Sequence, residues 1–265
     1  MKPIILVGCG HLGQAMLRRW LDHNEDYHFT VVKPSPLPDD LASHARVTWV
    51  AEPPNAAEAA AIIYAVRPQQ LAAILPAYRD LARTCPNISV AAGWTLKKLA
   101  QYLGDAAIIR TMPNLPAQIG LGVTAAVAND RCDQATKDLA ENLLHATGEV
   151  AWLDDERQMD AVTALSGSGP AYAFLLAAAM EEAGIKLGLP QPVAGRLARQ
   201  TVYGAAAYMV QGDQAADELW RAMQLPGGTT EAAFTRLLAA DGMTPMILEA
   251  MQRAAACAAE IGQSS

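Results

Sequence analysis

The run Ile4-Ile5-Leu6-Val7, followed at once by Gly8-Cys9-Gly10-His11-Leu12-Gly13, constrains this chain more than any other feature. Four consecutive apolar residues are expected of a parallel strand buried on both faces. Met16, Leu17 and Trp20 then recur at helical spacing. The glycines therefore stand between a strand and a helix, where G-x-G-x-x-G has a mechanical meaning. The first allows a tight turn, the second lets backbone approach a pyrophosphate, and the third lets the helix pack on the strand. The helix N-terminus completes an anion site. Gly8, Gly10 and Gly13 are thus read as dinucleotide-binding.

A second strand is expected over His28–Val32, and an NAD-specific site would carry Asp or Glu near its end. The chain reads Lys33-Pro34-Ser35 there instead. A cation and a hydroxyl suit a 2′-phosphate, so Lys33 and Ser35 favour NADPH, with NADH as the alternative. Further strand-like runs lie at 47–50, 61–66, 88–91 and 107–110, with helices between them, one opened by Pro68 and another by Thr95. Two more strands, at 123–128 and 149–155, flank a helix expected over Gln134–His145. This alternation indicates an α/β fold, a Rossmann-like doubly wound sheet. The loops Ala65–Gln69 and Arg110–Pro116 follow strand ends and are expected to line the cofactor groove.

After Asp154-Asp155 strand patterns vanish and the chain reads helical to its end. Residues 1–154 are accordingly expected to form the nucleotide-binding domain, and 155–265 an all-α domain. Gly188 and Pro192 stop one long helix and start the next, and Gly195 and Gly204 invite close approach of another helix. These helices lack a conspicuous polar face, which points to cover by a second subunit. A net charge of −7 argues against nucleic-acid binding. Cys9, Cys85, Cys132 and Cys257 are too scattered for a disulfide framework or a metal site. The apolar run from Pro170 to Met180 is shorter than a bilayer span, and no signal-peptide layout is present, so a cytoplasmic protein with no membrane partner is expected.

Ala164-Leu165-Ser166-Gly167-Ser168-Gly169-Pro170 interrupts the helical half. On residue types alone it reads equally as an interhelical turn with N-caps or as a ligand-facing helix entrance. Apolar patterning continues on both sides, which argues against a linker.

Taken together, Gly8–Met16, Ala65–Gln69, Ile88–Gly93, Arg110–Pro116, Ala161–Phe174, Ala183–Pro190 and Pro226–Ala232 resemble the pyrroline-5-carboxylate reductase family. Thr163-Ala164-Leu165-Ser166-Gly167-Ser168-Gly169-Pro170 combined with Pro226-Gly227-Gly228-Thr229-Thr230 is the most specific part of the likeness. The resemblance implies reduction of 1-pyrroline-5-carboxylate to L-proline, the last step of proline biosynthesis, with NAD(P)H and no metal. It implies a helical domain that makes a homodimer or a higher oligomer of dimers. By position it implies that Gly8, Gly10, Leu12 and Gly13 hold the pyrophosphate, Ser35 the 2′-phosphate and Asn55 the ribose. Ala65, Arg67 and Pro68 would border the cofactor, and Met112, Asn114, Ser166, Gly167, Ser168 and Gly169 would face the nicotinamide. Thr163, Gly227, Gly228, Thr229 and Thr230 would bind substrate, with Thr230 the catalytic residue.

The chain departs from the family's usual pattern at Arg67, where Lys is common, and at Lys33-Pro34-Ser35, where Asn-Arg is frequent. It also has Leu225 where Ser or Thr usually precedes the glycines, which removes a hydroxyl near the substrate. That change leaves room for a related imine or keto-acid reductase; a nucleotide-sensing regulator is the alternative outside catalysis. The loop Pro226–Thr230 stands ahead of a helix and is expected to offer free amides to a carboxylate. Thr230 is expected to hydrogen-bond the ring nitrogen.

Overall fold

The computed structural model describes residues 3–23, 26–54 and 58–264. Eight strands run β1 (Ile4–Val7), β2 (Phe29–Val32), β3 (Val47–Val50), β4 (Ala61–Tyr64), β5 (Asn87–Ser89), β6 (Ile108–Met112), β7 (Gly122–Ala128) and β8 (Gly148–Trp152). They form one sheet in the order β3-β2-β1-β4-β5-β6-β7-β8. Every neighbouring pair is parallel except β6 with β7. Chain direction across the sheet reverses between β1 and β4, which opens a crevice at their carboxyl ends.

Alternation along β1 explains why its run is continuous. Ile4 and Leu6 join a core with Met16, Leu17 and Trp20 of the helix His11–His23 on one face. Ile5 and Val7 join another with Leu71, Tyr78, Trp94 and Leu99 on the other. The Trp20 ring stacks on Phe29 at 5.5 Å, and its indole N–H donates to the Leu143 carbonyl at 2.7 Å. That bond ties the first helix to the helix Gln134–His145, whose bounds match the sequence expectation.

Arg110 on β6 is buried, and its guanidinium meets Glu156 at 2.8 Å. The same carboxylate accepts the Leu96 N–H, 2.8 Å away, where the helix Leu96–Leu103 begins. Removing the carboxylate leaves a buried cation without its partner. Glu156→Ala is expected to lower unfolding stability by about 2–4 kcal/mol, read from a chemical denaturation midpoint at unchanged slope.

The chain divides into two compact units, Met1–Gly167 with Ala254–Ser265, and Ser168–Arg253. This differs from a division at 154/155: residues 155–167 and the end of the helix Met243–Ser264 belong with the sheet. Close glycine packing contributes to that. A Cβ on Gly93 would lie 3.2 Å from the Gly262 nitrogen, and one on Gly262 would lie 3.2 Å from the Gly93 carbonyl.

Within the second unit, the helices Gly169–Lys186 and Gln191–Gln211 pack closely where Gly195 faces the Glu181 carboxyl. Gly204 has open space around it instead. Phe174, Leu175, Tyr203 and Tyr208 are all exposed in the single chain.

The Ser/Gly tract is not a break. Thr163–Gly167 forms a π-helical turn, and the helix Gly169–Lys186 follows directly. Neither Gly167 nor Gly169 has a positive φ, and Ser168 makes no side-chain cap bond. The interhelical-turn reading with N-caps is thereby overturned. Among the described residues one helical run, Glu156–Lys186, which contains the apolar segment Pro170–Met180, is long and apolar enough by length and composition to cross a bilayer.

Candidate active site

Gly8 leaves β1 with φ +83°, and a Cβ there would lie 2.4 Å from Val66 and 2.8 Å from the Ala65 carbonyl. Only glycine fits both the conformation and the space. Gly10 is the opposite case, since a Cβ there would meet nothing within 4 Å. Gly13 returns to tight packing, 3.2 Å from the Gly8 carbonyl. The three glycines thus serve as turn, open approach and helix–strand contact, in the order the motif requires. Leu12 packs partly buried against the core, which fixes the first turn of its helix.

The crevice beside this turn encloses about 490 Å³. Its walls come from four strand ends: Gly8 and Gly10 after β1, Lys33 after β2, Ala51 and Pro53 after β3, and Ala65 and Arg67 after β4. Lys33 Nζ donates to the Pro36 carbonyl at 3.3 Å, and Arg67 is exposed at the head of the helix Pro68–Ile74. Two cations on the rim, an open glycine turn and a helix N-terminus fit a phosphorylated dinucleotide.

Ser35 is exposed and is not among the residues that line this crevice, although its neighbours Lys33 and Pro34 are. Pro68 does not line it either; its carbonyl accepts the Trp94 indole N–H at 2.9 Å. Asn55 lies outside the described residues. Cys9, Gln70, Ile74 and Tyr78 line the crevice without having been singled out in the sequence. Burial pushes the Cys9 thiol up to about 11, against the pull of Lys33 and Arg18. It stays neutral at physiological pH and adds no negative charge beside the phosphate site.

A second group assembles beyond β6. The Asn114 carbonyl oxygen accepts the Val123 N–H at 3.0 Å, which orients the amide. Its Nδ2 then reaches Ser166 Oγ at 3.4 Å. A Cβ on Gly167 would lie 2.6 Å from the Met112 methyl, so this glycine admits Met112 against the π turn. Thr163 Oγ1 donates to the Met159 carbonyl at 2.9 Å. Met112, Asn114, Thr163, Ser166 and Gly167 are therefore brought together in the first unit, whereas Ser168 and Gly169 open the second. A π turn is an uncommon distortion that recurs at functional positions. Nothing in the residue types alone distinguished it from a turn.

The loop before the helix Thr229–Leu237 is the third element. Gly227 has φ +74°, and Gly228 caps the helix without a side chain to offer its first-turn amides. The Gly228 N–H closes the turn on the Leu225 carbonyl at 2.9 Å. The expectation of free amides needs correction at Gly227, whose N–H donates to the Glu231 carboxylate at 2.7 Å. Glu231 lies one helical turn away and supplies its own carboxylate to the turn. The amides of Thr229 and Thr230 begin the helix beneath it.

Comparison with known proteins places the chain in a family. Residues 156–261 match a family model described as pyrroline-5-carboxylate reductase dimerisation. Residues 3–93 match one described as NADP oxidoreductase, coenzyme F420-dependent. The chain is 40% identical over 213 residues to the pyrroline-5-carboxylate reductase of Pseudomonas aeruginosa, covering 78% of each. It is 31% identical over 256 residues to that of Haemophilus influenzae, covering 95% of this chain and 94% of the relative. Among solved structures it superposes on a pyrroline-5-carboxylate reductase from Coxiella burnetii with a TM-score of 0.91 at 31% identity, covering 98% of both chains. The chain belongs to the pyrroline-5-carboxylate reductase family of NAD(P)H-dependent oxidoreductases.

Proposed function

We propose that this protein reduces the C=N bond of 1-pyrroline-5-carboxylate to give L-proline, in the cytoplasm, as a homodimer or an oligomer of dimers. The open turn at Gly10, inside a crevice rimmed by Lys33 and Arg67, is the observation that carries the reading. When bound, the reduced nicotinamide supplies the hydride. Gly8, Gly10, Leu12 and Gly13 hold the pyrophosphate, and Lys33 the 2′-phosphate, with Ser35 beside that phosphate at the exposed mouth of the crevice and Asn55 toward the adenosine ribose. Ala65 and Arg67 border the cofactor, and Pro68 opens the helix behind them. Met112, Asn114, Ser166, Gly167, Ser168 and Gly169 present backbone and hydroxyls to the carboxamide side of the ring. Most of the cofactor contacts thus fall in the unit built on the sheet, and the glycine loop and the subunit contact in Ser168–Arg253.

The substrate is a small anionic imine. Gly228 and Thr229 hold its carboxylate at the helix N-terminus, beside Gly227 whose own N–H is taken by Glu231, and Thr163 borders the ring. The Thr230 hydroxyl hydrogen-bonds the ring nitrogen. An imine nitrogen is basic enough to arrive protonated, so no histidine or carboxylic acid is needed to supply that proton. The partner subunit supplies the glycine loop to each site. The exposed Phe174, Leu175, Tyr203 and Tyr208 support this, because apolar helices of this kind require cover.

Two substitutions test the ligand-binding roles. Lys33→Ala is expected to weaken NADPH roughly 10- to 100-fold, the value of one charge-assisted bond, and to leave NADH almost unchanged in fluorescence titrations. Glu231→Ala frees the Gly227 amide and removes a negative charge, so KM for the imino acid is expected to fall about 2- to 10-fold. The reaction itself is tested by following NADPH oxidation and proline formation together. One proline per NADPH with pyrroline-5-carboxylate, and slower turnover of other cyclic imines, is the expected result. Faster turnover of a different imine would redirect the assignment, and Leu225 would be the residue to examine.

A further inference from the structure

Trp49 stands on β3, the strand at one edge of the sheet, and is 39% exposed. Exposed edges are normally kept short and polar, because an open edge invites association. Core filling does not account for this tryptophan either. Val31, opposite it in the ladder, is the residue that joins the buried cluster. The indole has one polar atom, and that atom is committed: Nε1–H donates to the Lys33 carbonyl at 3.0 Å.

Three strands meet where Lys33 leaves the sheet. The Gly8 N–H donates to the Val32 carbonyl at 2.9 Å, and the Lys33 N–H donates to the Val50 carbonyl at 3.1 Å. Pro34-Ser35-Pro36 follows, and neither proline has an N–H with which to bond a neighbour. The indole bond is therefore a brace on the peptide that joins an ordered strand to a segment poor in donors.

The Lys33 side chain depends on the same turn. Its Nζ donates to the Pro36 carbonyl at 3.3 Å, and Lys33 and Pro34 line the crevice together with Gly8 and Gly10. An ammonium has three donors, so two are left for an anion while the Pro36 bond is kept. Rotation of the Lys33–Pro34 peptide would carry the ammonium and its acceptor away together. The carbonyl that Trp49 holds belongs to that peptide.

We propose that Trp49 is a positioning residue for the cofactor's 2′-phosphate: its indole bond fixes the Lys33–Pro34 peptide, holds the Lys33 ammonium at the crevice and so raises selectivity for NADPH over NADH. This rests on the reading that Lys33 meets the 2′-phosphate. Trp49 is not among the residues that line the crevice, and it acts only through Lys33.

The test is a double-mutant cycle with Trp49→Phe, which keeps an aromatic ring and removes the donor, and Lys33→Ala. Isothermal titration follows adenosine 2′,5′-bisphosphate and adenosine 5′-monophosphate, which differ only in the 2′-phosphate. Trp49→Phe is expected to bind the bisphosphate about 2- to 10-fold more weakly and the monophosphate as wild type does. Its KM for NADPH should rise by a similar factor, and its KM for NADH should not. In the Lys33→Ala background, Trp49→Phe should cause no further loss, because the two act as one unit. Unchanged affinity of Trp49→Phe for the bisphosphate would overturn the proposal. So would equal losses for both nucleotides, which mark a structural role, or losses that simply multiply in the double variant. A wild type that does not prefer the bisphosphate would instead overturn the reading of Lys33.

Discussion

Gly10→Ala is expected to lose NADPH binding by roughly 100-fold or more while its melting temperature stays within a few degrees of wild type. The two halves of this result have separate causes. A Cβ at Gly10 meets nothing within 4 Å, so the folded protein accommodates it without strain. The same Cβ occupies the space through which backbone amides approach a pyrophosphate. Two charge-assisted hydrogen bonds are then lengthened or lost, at about 1.5–3 kcal/mol each. Gly8→Ala provides the contrast. Its φ of +83° and the 2.4 Å approach to Val66 force the backbone to move. The expected cost is about 2–5 kcal/mol of stability, from left-handed strain together with overpacking. Thermal unfolding and NADPH titration on the two variants separate the roles. A Gly10→Ala protein that binds NADPH normally would show that the turn does not face the phosphates.

Thr230→Ala is expected to lower kcat/KM for pyrroline-5-carboxylate by roughly 10- to 1000-fold, the range for a positioned polar group that meets charge in the transition state. Thr230 stands in the first turn of a nine-residue helix whose cap, Gly228, brings no side chain. Its hydroxyl is therefore a polar side chain placed at the anion-binding end. The fall should appear mainly in kcat, with NADPH affinity intact, because the cofactor-holding residues are untouched. Thr230→Ser should recover most of the activity. Full turnover by Thr230→Ala would remove Thr230 from the site.

Much of the sheet was legible because its causes are local. The continuous apolar run of β1 reflects burial on two faces, and the glycine spacing reflects three separate steric demands around one turn. The helix Gln134–His145 carries its own cap, Asp133, whose carboxylate accepts the Thr136 N–H at 2.8 Å. What was not legible depends on distance or on an unusual backbone. Tyr78 stands some seventy residues from Gly8 in a segment with no motif, and only the fold brings the two to one crevice. Serines and glycines normally read as breakers, so Ser166–Gly169 concealed a continuous helix with a π turn. The bond from Gly227 to Glu231 was hidden for another reason, since a glutamate in a first helical turn is ordinary. Ser35 stands exposed outside the crevice that its neighbours Lys33 and Pro34 line, which residue type does not announce.

A crystal structure of the protein with NADP⁺ and an unreactive ring analogue of the imino acid tests the central claim most directly. The account predicts the adenosine half in the crevice between Gly8 and Arg67, the nicotinamide against Met112, Asn114 and the Ser166–Gly169 turn, and the analogue's nitrogen within hydrogen-bonding distance of Thr230. An analogue seated away from Thr230, or a nicotinamide directed elsewhere than the π turn, would contradict it.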